Sequence, residues 1–224
     1  MGSSSSVGKT TLCKYLLAQL LLDGYKPEQL AYIKPMTQCI EKQAVTVFCE
    51  NKLITHKSIG SLVFSRGFTK DFIDGLTKTS GELLEDILAE ISQISENKEI
   101  VIIDGIGVPS TGSVVGVSNI DIARSLAAPV LFVGKAGIGS AIDDTVLSVN
   151  FMHQRGIKSI ALVYNKIDLS ELENIKHYLN KRVAELLPNV PILGFIVNHI
   201  PMDNRTKQQS VAKISQWFNS QSFD

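Results

Sequence analysis

Met1-Gly2-Ser3-Ser4-Ser5-Ser6-Val7-Gly8-Lys9-Thr10-Thr11 is the stretch on which the reading of this chain turns. The small residues from Gly2 to Ser6 let successive backbone N–H groups curl into a concave, anion-binding nest. Gly8 permits close backbone approach, Lys9 supplies one positive charge, and Thr10 supplies a hydroxyl. The run from Thr10 to Leu22 reads as an apolar helix, with Gly24 just past its end. Its dipole adds positive potential at the loop. The combination reads as a phosphate-binding loop. Gly2, Ser3, Ser4, Ser5, Ser6, Val7, Gly8, Lys9, Thr10 and Thr11 are the candidate phosphate contacts, with Lys9 on the β/γ-phosphates and Thr10 on Mg²⁺.

The common spacing, Gly-x-x-x-x-Gly-Lys-Thr, would put glycine at position 3, where this chain has Ser3; the available glycine is Gly2. Serine runs after Met-Gly also occur in expression tags. A tag does not continue into Val7-Gly8-Lys9-Thr10-Thr11-Leu12 and an apolar helix. A buried strand is expected ahead of such a loop, and only Met1 stands before Gly2, so that strand is expected to be missing from these residues.

At 224 residues the chain fits one domain, taken as residues 1–224, with enough length to bury a sizeable core. Lys+Arg and Asp+Glu are both 22, so no global field favours nucleic acid or an anionic membrane. No apolar run is long enough for a membrane span, and no secretory signal is visible. Cys13, Cys39 and Cys49 have no metal-type spacing, and their odd number argues for reduced thiols in a cytoplasmic setting.

Short apolar runs alternate with helical periodicity. Strands are expected at Leu30 to Lys34, Glu99 to Ile103, Pro129 to Val133, Lys158 to Tyr164 and Val190 to Ile196. Helices are expected at Phe68 to Leu76, Gly81 to Ser95, Asn119 to Leu126, Ser140 to Gln154, Ser170 to Leu187 and Thr206 to Phe218. Residues 40–78 carry mixed signals. The alternation implies an α/β fold, a mainly parallel sheet with helices on both faces. Ligands on such sheets bind at the carboxyl ends of the strands, where Lys34, Asp104, Lys135 and Asn165 fall.

Asp104 ends the apolar run Val101 to Ile103 and is a candidate Mg²⁺ ligand; the alternative is a turn cap, since Asp-Gly is a common turn. Lys34, before Pro35, could reach a γ-phosphate or a substrate carboxylate, or be an ordinary solvated lysine. Asn165-Lys166-Ile167-Asp168 matches the Asn-Lys-x-Asp guanine-reading pattern and equally fits a strand end capped by Asp168 or Ser170. Gly105, Gly107, Gly112 and Gly116 flank a loop that could fold over phosphates or be a flexible connection. His56, His153, His177 and His199 show neither metal nor triad spacing.

These motifs resemble the dethiobiotin synthetase superfamily of P-loop NTPases, and most of all the synthetase-like N-terminal domain attached to some phosphotransacetylases. Three stretches carry the likeness: Gly2 to Thr10, Tyr32-Ile33-Lys34-Pro35, and the long run from Ile103 to Asn119 followed by Ala128 to Asp143. The likeness spans nearly the whole chain, weakly between residues 40 and 95. It implies a Mg²⁺-dependent ATP-binding protein in which Lys9 and Lys34 act on the phosphates and the substrate. Thr10 and Asp104 would hold the metal, and Asn165 would lie near the adenine. The implied activity is ATP-dependent activation of a carboxylate or carbamate on a small molecule, and the implied assembly a homodimer. The chain departs from the synthetase pattern in places. Ser4 replaces a loop aspartate, no aspartate occurs from Pro35 to Lys70 (Glu41 being the nearest substitute), and Gly194 to Val197 replaces Gly-x-Ile-Pro. A nucleotide sensor without turnover and a GTP switch built on Asp104, Gly107 and Asn165 to Asp168 remain open alternatives.

Overall fold

A computed structural model describes residues 1–38, 40–198 and 205–220. Two compact units emerge. The first comprises Met1–Lys9, Gly107–Pro109 and Ala127–Asp224, and the second Thr10–Ile106 and Ser110–Leu126. Every strand pairing among the described residues is parallel.

Helix α1 (Lys9–Leu22) starts at the last residue of the first unit and runs on into the second. The second unit contains β1 (Leu30–Ile33), β2 (Met36–Thr37), α2 (Ala44–Lys52), β3 (Thr55–Lys57) and β4 (Leu62–Val63). It continues with α3 (Phe68–Ile73), α4 (Ser80–Ser95), β5 (Ile100–Ile103) and α5 (Asn119–Ser125). Strand β1 lies between β3 and β5, and β2 pairs with β4. All four residues of β1 are buried, as expected of a strand covered on both faces.

Helix α4 shows how sequence sets an element. Thr79 accepts the Glu82 backbone N–H at 3.3 Å while Glu82 accepts the Thr79 N–H at 2.8 Å, a reciprocal cap. Leu83, Ile87 and Ile91 then fall on one face and join a core with Ile33, Met36 and Leu62. Full burial of one such side chain contributes roughly 1.5–3 kcal/mol. A second cluster gathers Cys13, Leu17, Leu20, Leu30, Tyr32, Val45 and Cys49.

The first unit holds β6 (Val130–Gly134), α6 (Gly139–Gln154), β7 (Ile160–Ile167), α7 (Leu172–Leu186), β8 (Ile192–Val197) and α8 (Arg205–Asn219). Strand β7 lies between β6 and β8. Residues 1–3 run parallel beside β6: the Met1 amino group donates to Leu131 O at 3.0 Å, Val133 N to Met1 O at 2.9 Å, and Ser3 N to Val133 O at 3.0 Å. The extended segment expected to be missing ahead of the loop is therefore represented by a strand-like stub.

Two expectations needed revision. Strand β7 does not end at Tyr164 but continues to Ile167 through an irregularity, with Lys166 at φ 61° and Ile167 buried opposite Val197. Asn165, Lys166 and Ile167 are thus strand residues rather than the start of a loop. The glycine-bearing segment after Asp104 is not a free connection. Asn119 Oδ1 accepts Ile106 N–H at 3.2 Å and Asn119 Nδ2 donates to Ile106 O at 2.5 Å, pinning the backbone. Gly105 is required there, because a Cβ would come within 2.7 Å of Asn119 Oδ1.

Candidate nucleotide-binding site

The loop from Gly2 to Lys9 curls around the end of its own lysine. Lys9 is 7% exposed, and its ammonium donates to Ser4 O at 2.7 Å and Ser5 O at 3.4 Å. Gly2 takes the close-approach role that the usual spacing assigns to position 3, since a Cβ on it would sit 2.6 Å from Val7 Cγ1. Ser3 Oγ is buried with no hydrogen-bond partner among the described residues, an orphaned polar atom in the loop. Ser5 and Ser6 are exposed at the tip, and Thr11 is exposed on α1.

Asn165, 9% exposed, donates from Nδ2 to Val7 O at 2.9 Å. It braces the loop, a role that its position in an apolar strand did not advertise. Gly8 sits at φ 94°, and a Cβ there would collide with Asn165 Nδ2. Replacing Gly8 with alanine is expected to cost about 1–3 kcal/mol from backbone strain, plus the disrupted Asn165 brace. Gly24→Ala is the control: φ is 100° but nothing lies within 4 Å of the added Cβ. Chemical denaturation should show Gly8→Ala as clearly the more destabilising of the two.

The second cluster lies in the second unit. Asp104 is 1% exposed and follows β5 directly. The β1–β5 register pairs Ile33 with Ile103, which brings Lys34 alongside Asp104. Asp104 Oδ2 accepts the Thr10 hydroxyl at 2.5 Å and the Tyr32 hydroxyl at 2.9 Å, and lies 3.5 Å from Lys34 Nζ. Lys34 also donates to Thr10 Oγ1 at 3.3 Å and Gln43 Oε1 at 3.2 Å. Asp104 is therefore no turn cap, and Lys34 no solvated surface lysine.

Burial, and then the Asp104 charge, push the Tyr32 phenol far above its ordinary range. The same two causes raise the Cys13 thiol. Both groups stay protonated, and the Tyr32 hydroxyl donates. A threonine hydroxyl and an aspartate carboxylate are the hard oxygen donors that Mg²⁺ accepts, with its other positions left to water and phosphate. The residues present fit that ion.

Other sequence candidates fall elsewhere. Lys135 pairs with Asp144 on α6 at 2.6 Å instead of joining the loop. Asp168 precedes a short 3₁₀ turn at Leu169–Glu171 without a side-chain capping bond. Glu41 is exposed. His56 Nδ1 lies 3.1 Å from Ile54 O, and His177 meets Tyr178 edge-on. Among the described residues no group of three or more His, Cys, Asp and Glu is placed to hold a metal. Cys39 and His199 lie outside the described residues. No helix among those described is long and apolar enough to cross a membrane.

Comparison with known proteins agrees with this picture. A family model described as an AAA domain matches residues 1–217. The ATP-dependent dethiobiotin synthetase of Clostridium perfringens is 22% identical over 204 residues, covering 85% of this chain and 85% of that protein. The synthetase of Rhodococcus erythropolis is 23% identical over 199 residues, covering 87% and 85%. That of a Geobacillus species is 31% identical over 115 residues, which is 46% of this chain and 47% of that protein. Among solved structures, the MinD cell division protein of Aquifex aeolicus superposes with a TM-score of 0.59 at 15% identity, covering 99% of this chain and 96% of that one. Parallel strands alternating with helices, together with the loop that opens α1, define a P-loop NTPase fold. The chain belongs to the AAA-domain family matched over residues 1–217, and within it is dethiobiotin synthetase-like.

Proposed function

We propose that residues 1–224 act as one nucleotide-binding domain that takes ATP with Mg²⁺ and activates a carboxylate or carbamate on a small molecule. The observation that carries this reading is the cluster of buried Lys34 and Asp104 at the ends of β1 and β5 with half-buried Thr10 of α1. The preference for ATP is supported by relatives whose names call them ATP-dependent. The loop amides and Lys9 would bind the β- and γ-phosphates, and Thr10 and Asp104 would hold Mg²⁺. The ion, when bound, would neutralise negative charge on the phosphates.

Lys34 would orient the substrate carboxylate against the γ-phosphate and balance the charge developing during transfer. A carboxylate oxygen attacks phosphorus, ADP leaves, and an amine then displaces phosphate from the mixed anhydride. Where the activated group is a carbamate, it forms from an amine and bicarbonate before phosphoryl transfer. Steady-state phosphate release should be stimulated by an amine together with bicarbonate or by a carboxylate. Release that no such substrate stimulates would contradict a ligase.

A second reading is favoured by the sparse acidic set around Asp104. The domain would bind nucleotide without turnover and act on a partner. Tight ATP binding with negligible hydrolysis under every substrate condition would select it.

A further inference from the structure

One neighbour of Asp104 is neither part of the loop that opens α1 nor charged. Tyr32 is fully buried on β1, and its hydroxyl donates to Asp104 Oδ2 at 2.9 Å. Thr10, on α1, donates to the same oxygen at 2.5 Å. Packing explains the tyrosine ring but not its hydroxyl. Phenylalanine would fill the same space in an apolar strand without desolvating a polar group. A carboxylate turns easily about its terminal torsion, whereas donors on two separate elements fix it. It has about four lone-pair sites, so donors at Oδ2 leave acceptor capacity for a cation.

We propose that Tyr32 is a positioning residue that holds the Asp104 carboxylate in the orientation in which it receives a divalent cation. The inference rests on the Mg²⁺–ATP reading above and gives a role to a residue that had none in the sequence motifs. Partners that orient a metal ligand commonly affect metal affinity by about 10–100-fold. A role in packing alone would instead weaken folding or nucleotide binding irrespective of metal.

The experiment titrates Mg²⁺ into the intact chain with a fluorescent ATP analogue and measures the same analogue's affinity in EDTA, with thermal melting alongside. Tyr32→Phe should raise the Mg²⁺ midpoint about 10-fold while metal-free affinity stays within about twofold. A folded Tyr32→Phe protein with the wild-type Mg²⁺ midpoint would overturn the proposal, as would an equal loss in EDTA. If Tyr32→Phe does not fold, 4-fluorophenylalanine at position 32, which fills the hydroxyl's space without a donor, decides, and a wild-type midpoint overturns the proposal. A wild-type chain whose analogue binding ignores Mg²⁺ would sink the Mg²⁺–ATP reading itself, a result distinct from wild-type metal dependence left intact by Tyr32→Phe.

Discussion

Replacing Asp104 with alanine is expected to lower stability by about 3–5 kcal/mol and to remove the Mg²⁺ dependence of nucleotide binding. The Lys34 side chain is 9% exposed and faces Asp104 at 3.5 Å, so the substitution leaves a largely buried ammonium without its counter-charge. It also strips the Tyr32 hydroxyl of its acceptor. An unsatisfied buried donor costs about 1–3 kcal/mol, part of which is already counted in the ion-pair figure. Asp104→Asn separates the contributions, because it keeps an acceptor for Tyr32 and Thr10 but removes the charge. The double variant Asp104→Ala/Lys34→Met should recover much of the lost stability, since no unpaired charge is left behind. Urea denaturation measures all three. A loss for Asp104→Ala within about 0.5 kcal/mol, the range of ordinary surface substitutions, would show that this cluster is not energetically coupled.

Lys9→Ala should have the largest effect on ligand affinity and only a modest one on folding. The ammonium donates to Ser4 O and Ser5 O and thereby closes the loop on itself. Without it the carbonyls can rehydrate at the exposed tip, so the free protein loses little. With triphosphate bound, a charge-assisted contact worth about 1.5–3 kcal/mol disappears, which corresponds to roughly 10–150-fold in affinity. Arginine should not rescue it. Its planar fork suits bidentate carboxylate or phosphate geometry, whereas Lys9 serves two neighbouring backbone carbonyls from one nitrogen. Calorimetric titration of the variant with MgATP reads this loss directly.

The strands and helices that frame the site were legible because their periodicity is strong. Leu30–Ile33 and Ile100–Ile103 are continuous apolar runs, and α4 begins at a Thr79–Glu82 capping box. Between residues 40 and 78 the signals fail for physical reasons. Strand β3 is Thr55-His56-Lys57, a polar strand at the sheet edge, and β4 has two residues, too few to show alternation. Helix α2 carries β-branched Val45, Thr46 and Val47, residues that favour strands when only local preference is weighed.

Within the site, Lys9, Thr10, Lys34 and Asp104 were readable from loop spacing and strand ends. Tyr32 was not, since an aromatic in an apolar strand looks like core. The signal was available in alternation: Tyr32 and Lys34 stand two residues apart, so an extended chain places them on one side. The Asn165 brace on Val7 was hidden, because the two residues are 158 positions apart and only the folded chain relates them.

The central claim is that the segment from Gly2 to Thr10 binds a nucleoside triphosphate with Mg²⁺. The most direct test is isothermal calorimetry of the intact, folded chain with ATP plus Mg²⁺, set beside Lys9→Ala. Saturable heat from the wild-type chain, weakened on the order of 100-fold in the variant, is the expected result. No binding heat from ATP or GTP with Mg²⁺, in protein shown to be folded, would contradict it.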